Sequence, residues 1–218
     1  MRSRSACIIA SLLLAPLLCN AQHANVWYFG EQAGIGFPNG IPVSLTNGAL
    51  ISYEASASIC DENGELLFYT NGGPLSSPGW EVGAVYDRQH NIMPNGLLTS
   101  GGGCNSSAQG ALIVQDPGNP DQYYLFTTDC TENALAGGLR YCKVDMTLNS
   151  GLGDVISIGT PVLANVQESM TGIRHANGMD VWVITHGVSN SELHAVLVTS
   201  SGIGTPVTTT LGPNTGLY

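Results

Sequence analysis

Three histidines, His175, His186 and His194, are the side chains in this sequence best suited to hold a transition metal, since neutral imidazole is its commonest protein ligand. Zinc sites take ligands from short paired spacings, and these three positions do not offer one. They are read as hydrogen-bonded to neighbouring strands, while His23 and His90 stand elsewhere in the chain. Carboxylates gather at two turns, Asp61, Glu62 and Glu65 at one and Asp116 and Asp121 at the other. Turn carboxylates can ligate calcium, but no alternating set closed by a bidentate Glu is present, and Asx-turn hydrogen bonding accounts for them. Two carboxylates converging across one bond would serve glycoside hydrolysis, a convergence that spacing alone does not reveal. Gly101-Gly102-Gly103 has the composition of a phosphate cradle without its Lys and helix, and reads as a flexible connection. Trp80, in SSPGWE, is the candidate for ligand contact: Pro and Gly place it on an exposed loop, where aromatic anchors hold sugars or protein partners. Packing on its own sheet is the competing reading of Trp80. No catalytic residue, cofactor or metal site is expected.

The elements that must position these residues are written three times. ENGELLFYTNG at 62–72, GNPDQYYLFTTD at 118–129 and ANGMDVWVITHG at 176–187 each pass from a turn into an apolar strand ending near Thr. The marker residues Thr70, Thr127 and Thr185 lie about 57 residues apart, a period that signals repeated structural units. Each unit reads as a meander: 58–60, 66–70 and 83–87; 111–114, 123–128 and 139–145; 171–175, 181–186 and 193–199. Asn63-Gly64 predicts a type I′ hairpin turn. A Gly-x-Pro-Val marker at 40–43, 159–162 and 204–207 predicts edge strands, because proline lacks the N–H that a ladder needs. VWYFG at 26–30 opens a partial unit.

Four antiparallel strands repeated radially give an all-β, β-propeller-like fold. The expected units are a partial blade at 22–50 and blades at 51–108, 109–168 and 169–218. Tyr69, Phe126 and Ile184 are expected to superpose. The ring is expected to be incomplete and truncated at the C-terminus.

Residues 1–21 read as a signal peptide: Arg2 and Arg4 begin it, 6–18 are apolar, and Cys19-Asn20-Ala21 supplies a small-residue cleavage site. Cleavage leaves Arg88, Arg140, Lys143 and Arg174 against sixteen acidic residues. That balance excludes nucleic acid as a partner. No later stretch is apolar for long enough to be a transmembrane helix. In an exported chain the four remaining cysteines imply disulfides. Cys130 and Cys142 bracket a loop between two predicted strands and are paired on that ground, leaving Cys60 with Cys104. Four buried free thiols are the alternative.

NVWYFGEQAGIGF, LTNGAL, DENGELLFYTNG, VYDRQHNIMPNG, SSAQGALIVQDPGNPDQYYLFTTD, VDMTLNSGLGDV and RHANGMDVWVITHG, in that order, cover nearly the whole mature chain. Together they resemble the N-terminal propeller region of gliding-motility-associated, type IX-secreted bacterial surface proteins of the PKD-containing class. The resemblance implies a propeller module outside a diderm bacterial cell, engaging protein or glycan, and it imports no catalytic residues. The immunoglobulin-like PKD modules and sorting domain of that class have no counterpart in this sequence. The expected function is therefore non-enzymatic interaction at the cell surface. The competing class is an extracellular polysaccharide lyase or hydrolase with its site at the propeller axis.

Overall fold

The computed structural model describes residues 22–75, 79 and 82–211. The leader, Trp80 and the tail from 212 lie outside the described residues.

The described residues are all-β, laid out as four antiparallel sheets in chain order. The first holds β1 (Val26–Phe29), β2 (Ala33–Gly36) and β3 (Val43–Leu45). The second holds β4 (Ala57–Cys60), β5 (Leu66–Thr70), β6 (Ala84–Asp87) and β7 (Ile92–Leu97). The third holds β8 (Ala111–Asp116), β9 (Asn119–Thr128), β10 (Leu139–Asp145) and β11 (Asp154–Leu163). The fourth holds β12 (Val166–Arg174), β13 (Val181–Gly187) and β14 (Glu192–Thr199), with β15 (Gly202–Ile203) and β16 (Val207–Thr210) both paired to β14. Pro42 and Pro206 directly precede β3 and β16, and Pro161 lies within β11, so each marker proline sits at or on a sheet edge as its missing N–H requires.

Sheets stack face to face with their sequence neighbours, and three apolar clusters fill the junctions. Tyr28 and Leu50 meet Tyr69, Ala84 and Tyr86 at the first, where the Tyr28 and Tyr69 rings stack at 4.6 Å. Phe68, Val85 and Met93 meet Leu125, Cys142 and Val144 at the second. Phe126 and Leu139 meet Val166, Val183, Val196 and Val198 at the third. Among the described residues no sheet covers the two outward faces. Trp27 and Phe29 are 48% and 43% exposed on the first sheet, and Ile173, 52% exposed, pairs across from half-buried Trp182 on the fourth.

The three marker threonines are all buried, each in the second strand of its sheet. Their neighbours correspond as well: Ala57–Thr70–Val85, Ala111–Thr127–Arg140 and Met170–Thr185–His194. The faces do not correspond. Tyr69 packs back on the first sheet, whereas Phe126 packs forward on the fourth, so the expected superposition of Tyr69 with Phe126 and Ile184 is corrected. A slip of one residue moves a whole strand's side chains to the opposite face, and hairpin geometry sets that register. The β8–β9 turn is confined to Pro117-Gly118, tighter than the 116–121 turn expected. The β4–β5 turn runs from Asp61 to Glu65: Gly64 has φ +83, Asn63 is not left-handed, and Gly64 N–H donates to Asp61 O at 3.1 Å. That is a type I turn closed by a left-handed glycine, in place of the type I′ turn expected.

The cysteine pairing is corrected too. Cys104 is bonded to Cys130, while Cys60 and Cys142 are free and buried. In the β9–β10 hairpin Leu139 lies opposite Thr128 and Cys142 opposite Leu125, so register carries Cys142 along the strand, away from Cys130 and into the second junction. Cys60 stands opposite Leu66 at the far end of its sheet from Cys104. Gly101–Gly103, expected to be flexible, are packed in. A Cβ on Gly103 would lie 2.0 Å from Gly72 O and 2.6 Å from Thr127 Cβ, so glycine lets the connection cross the second sheet and bring Cys104 to Cys130.

Candidate functional site

Ser106, Ser107, Thr128 and Asp129 form a buried polar group beside the disulfide, hydrogen-bonded across the loops, while the neighbouring Thr127 Oγ1 has no partner among the described residues. β12 bulges between Val166 and Met170, turning Glu168 toward the third sheet. Its carbonyl accepts from the Thr128 and Ser107 hydroxyls, and its carboxylate accepts the N–H groups of Thr131 (2.7 Å) and Ala108 (3.1 Å). Asp129 caps its own loop by accepting from Cys130 and Gly137 N–H at 2.9 and 2.6 Å. Cys104, Asp129 and Cys130 place potential ligand atoms within 4.8 Å of one another, but both sulfurs are committed to the disulfide. Ser106 donates to Glu132 at 2.6 Å and holds that carboxyl below its ordinary range. This is a joint that locks neighbouring sheets.

A second polar group bridges the first two sheets. Tyr28 donates to Asn47 Oδ1 at 2.9 Å, Asn47 Nδ2 donates to His90 Nε2 at 2.8 Å, and His90 Nδ1 meets the Tyr69 hydroxyl at 3.1 Å. With Nε2 accepting, Nδ1 carries the proton and the Tyr69 oxygen accepts it, along with the Ala49 N–H. Burial pushes the Tyr69 phenol up to about 12, which keeps it neutral and unsuited to proton abstraction near neutral pH. Its alkaline consequence is definite. The unfolded phenol ionises near 10 and the folded one near 12, so stability is intact below pH 10 and falls between those values. Denaturant midpoints across that range are expected to fall less steeply for Tyr69→Phe than for the wild type.

The sequence-derived candidates do not converge. His186 and His194 lie opposite Leu193 and Thr185, on opposite faces of the fourth sheet, and His175 sits in the β12–β13 hairpin. His194 Nδ1 meets Thr208 Oγ1 at 2.9 Å, His186 Nδ1 meets Gly187 O at 2.8 Å, and Asn177 N–H donates to His175 Nδ1 at 3.1 Å. All three are hydrogen-bonded, His194 to the neighbouring strand β16 as expected, His186 to the adjacent residue and His175 within its own hairpin. Asp61 and Asp116 do serve as Asx turns, Asp61 Oδ1 accepting from Asn63 and Glu65 N–H at 2.8 and 2.9 Å and Asp116 from Gly118 N–H at 2.8 Å. Asp116 also pairs with Lys143 at 2.8 Å.

What the sequence reading missed is a cleft between the first two sheets. It is a solvent-open groove of about 860 Å³ between the 37–41 loop and the β4–β5 hairpin. Asn25, Asn39, Asn63 and Glu65 bring amides and a carboxylate to its wall, and Phe37 and Leu45 bring apolar surface. Local structure explains the placement. Left-handed Asn39 and Gly40 turn the 37–41 loop, while Gly64 lies so close to Asn25 that a Cβ there would sit 2.2 Å from the amide nitrogen. The Trp27 ring meets Phe37 edge-on at 5.5 Å beside the cleft. Two smaller cavities, of about 310 and 260 Å³, run along the first strands and share Leu112 and Ile113; no carboxylate lines either.

No protein-family model, curated protein or solved structure matches the chain. Among the described residues no helix is long and apolar enough to cross a membrane.

Proposed function

We propose that the chain is an exported, non-enzymatic interaction module, its sheets the consecutive blades of a β-propeller arc, which holds a protein or glycan in the cleft between blades one and two. The arc reading is supported by the first strands, β1, β4, β8 and β12, which neighbour one another in that order. Stacked four-stranded sheets with adjacent first strands are the propeller arrangement. The disulfide suits an oxidising compartment, in keeping with a leader and a place on the outer surface of a diderm cell. Membership of the gliding-motility-associated, type IX-secreted class is part of the same proposal.

The observation that carries the function is the cleft. Its volume lies high in the range of about 300–1,000 Å³ typical of ligand sites. Among the described residues, the Asn25, Asn39, Asn63 and Glu65 side chains make no hydrogen bond within the protein. Polar groups left free at a concave wall are available to a ligand.

The test compares the purified chain with an Asn39→Ala/Asn63→Ala variant for retention on outer-surface polysaccharide and protein fractions of diderm bacteria. Both residues are exposed, but Asn39 is left-handed, so alanine there is expected to lower the melting temperature slightly, and binding is compared well below both midpoints. The wild type is expected to bind and the variant to bind at least tenfold more weakly. Equal binding by both would remove the cleft from the proposal, and cleavage of a polysaccharide fraction would favour the lyase or hydrolase class.

A further inference from the structure

From the cleft's lining we infer that its ligand is an uncharged oligosaccharide, bound without a metal ion; this deepens the proposed function and rests on it. Three amides at the wall, those of Asn25, Asn39 and Asn63, can each donate and accept. A sugar hydroxyl does the same, so adjacent hydroxyls can pair with an amide at both ends. Glu65 adds an acceptor for hydroxyl protons. Phe37, Pro38, Val43 and Leu45 supply the apolar surface that the C–H faces of a pyranose ring need.

Charge excludes the acidic sugars. Every basic side chain that remains after the leader is engaged elsewhere: Arg88 with Gly151 O, Arg140 with Gly137 and Gly159 O, Lys143 with Asp116, and Arg174 with Gly178 O. None lines the cleft, while Glu65 does. A uronate or sulfate would meet an unopposed carboxylate in a chain that is strongly acidic overall. A metal bridge is disfavoured because Glu65 is the cleft's only carboxylate among the lining residues.

A peptide is the weaker fit. An extended peptide is held by ladder hydrogen bonds to a free strand edge. The outer edge at this cleft is β3, three residues long and preceded by Pro42, which has no N–H to give, and the opposite edge, β1, directs its Tyr28 N–H to Ser58 Oγ of the second sheet.

The experiment is calorimetric titration of the purified chain with neutral oligosaccharides and with uronate-bearing and sulfated ones, each with and without chelator. Neutral ligands are expected to bind at least tenfold more tightly than their acidic counterparts, with chelator making no difference. Glu65→Lys, at an exposed turn position, is expected to narrow or reverse that preference while leaving the melting temperature in place. Acidic sugars binding as tightly as neutral ones, or binding lost in chelator, would overturn the inference. So would a chain that holds a protein fraction through the cleft and no sugar, an outcome that leaves the broader proposal standing. Binding of neutral sugars unaffected by Asn39→Ala/Asn63→Ala would overturn both.

Discussion

Removing the Cys104–Cys130 disulfide is expected to lower the free energy of unfolding by about 3.5 kcal/mol on the chain-entropy model. The bond spans 26 residues and joins the connection entering the third sheet to the loop leaving β9. Without it the unfolded chain gains the freedom of that loop, while the folded state still holds Gly103 against Gly72 and Thr127. Chemical denaturation with and without reductant is the measurement, with Cys104→Ala/Cys130→Ala as the permanent form. The double variant is expected to match the reduced wild type and to lose its response to reductant. Peptide mapping without reduction is expected to find Cys104 joined to Cys130 and to leave Cys60 and Cys142 as thiols, accessible to alkylation only once the chain unfolds. Burial pushes both free thiols up, which further slows their reaction in the folded protein. A crosslink between Cys130 and Cys142 in the native protein would overturn the assignment.

Phe126→Ala is expected to cost about 3–5 kcal/mol, the range for truncating a buried aromatic to a cavity. Phe126 is the largest fully buried side chain that the third sheet turns toward the fourth, beside the slightly exposed Tyr124. Its neighbours Tyr124 and Tyr141 are held in the cross-strand register and cannot close the gap without breaking β9 or β10 pairing. Against a total stability of about 5–15 kcal/mol for a domain, a loss of that size removes much of the reserve. The readout is the unfolding curve. The transition is expected to broaden as well as shift, because units whose apolar clusters join them mainly in sequence lose cooperativity when one junction weakens. A shift below 1 kcal/mol with an unchanged slope would mean that the third junction contributes little to holding the stack together.

Much of the fold is legible in the sequence because apolar runs between turns and edge prolines are local signals. β5 and β10 fall on the residues expected of them, and the Gly-x-Pro-Val segments fall at sheet edges. β7 is not legible, because Met93-Pro94-Asn95-Gly96 reads as a turn. It is an irregular edge strand with a left-handed Asn95 and a register shift against β6. Face assignment fails for a related reason. Side chains alternate sides with every residue, so a difference in hairpin length invisible to the apolar pattern turns Tyr69 and Phe126 in opposite directions. The disulfide depends on the same register and on a close backbone crossing at Gly103, and neither leaves a mark in cysteine spacing. The cleft is the least legible part. Asn25, Asn39, Asn63 and Glu65 look like turn chemistry, and only the stacking of the first two sheets brings them to one wall.

The uncovered faces of the first and fourth sheets bear on how such a chain can change over generations. Among the described residues the apolar clusters join each sheet to its sequence neighbours, and the outer faces of the first and fourth sheets offer the kind of apolar surface that an inner junction already covers. A tandem duplication of one repeat would therefore find a compatible surface waiting for it, and deletion of the first or fourth sheet would expose another of the same kind. Architectures of this type tolerate changes of repeat number that would destroy a protein with a single closed core. The cleft lies within one pair of sheets, so the rest of the array can lengthen or shorten while the binding wall is inherited unchanged.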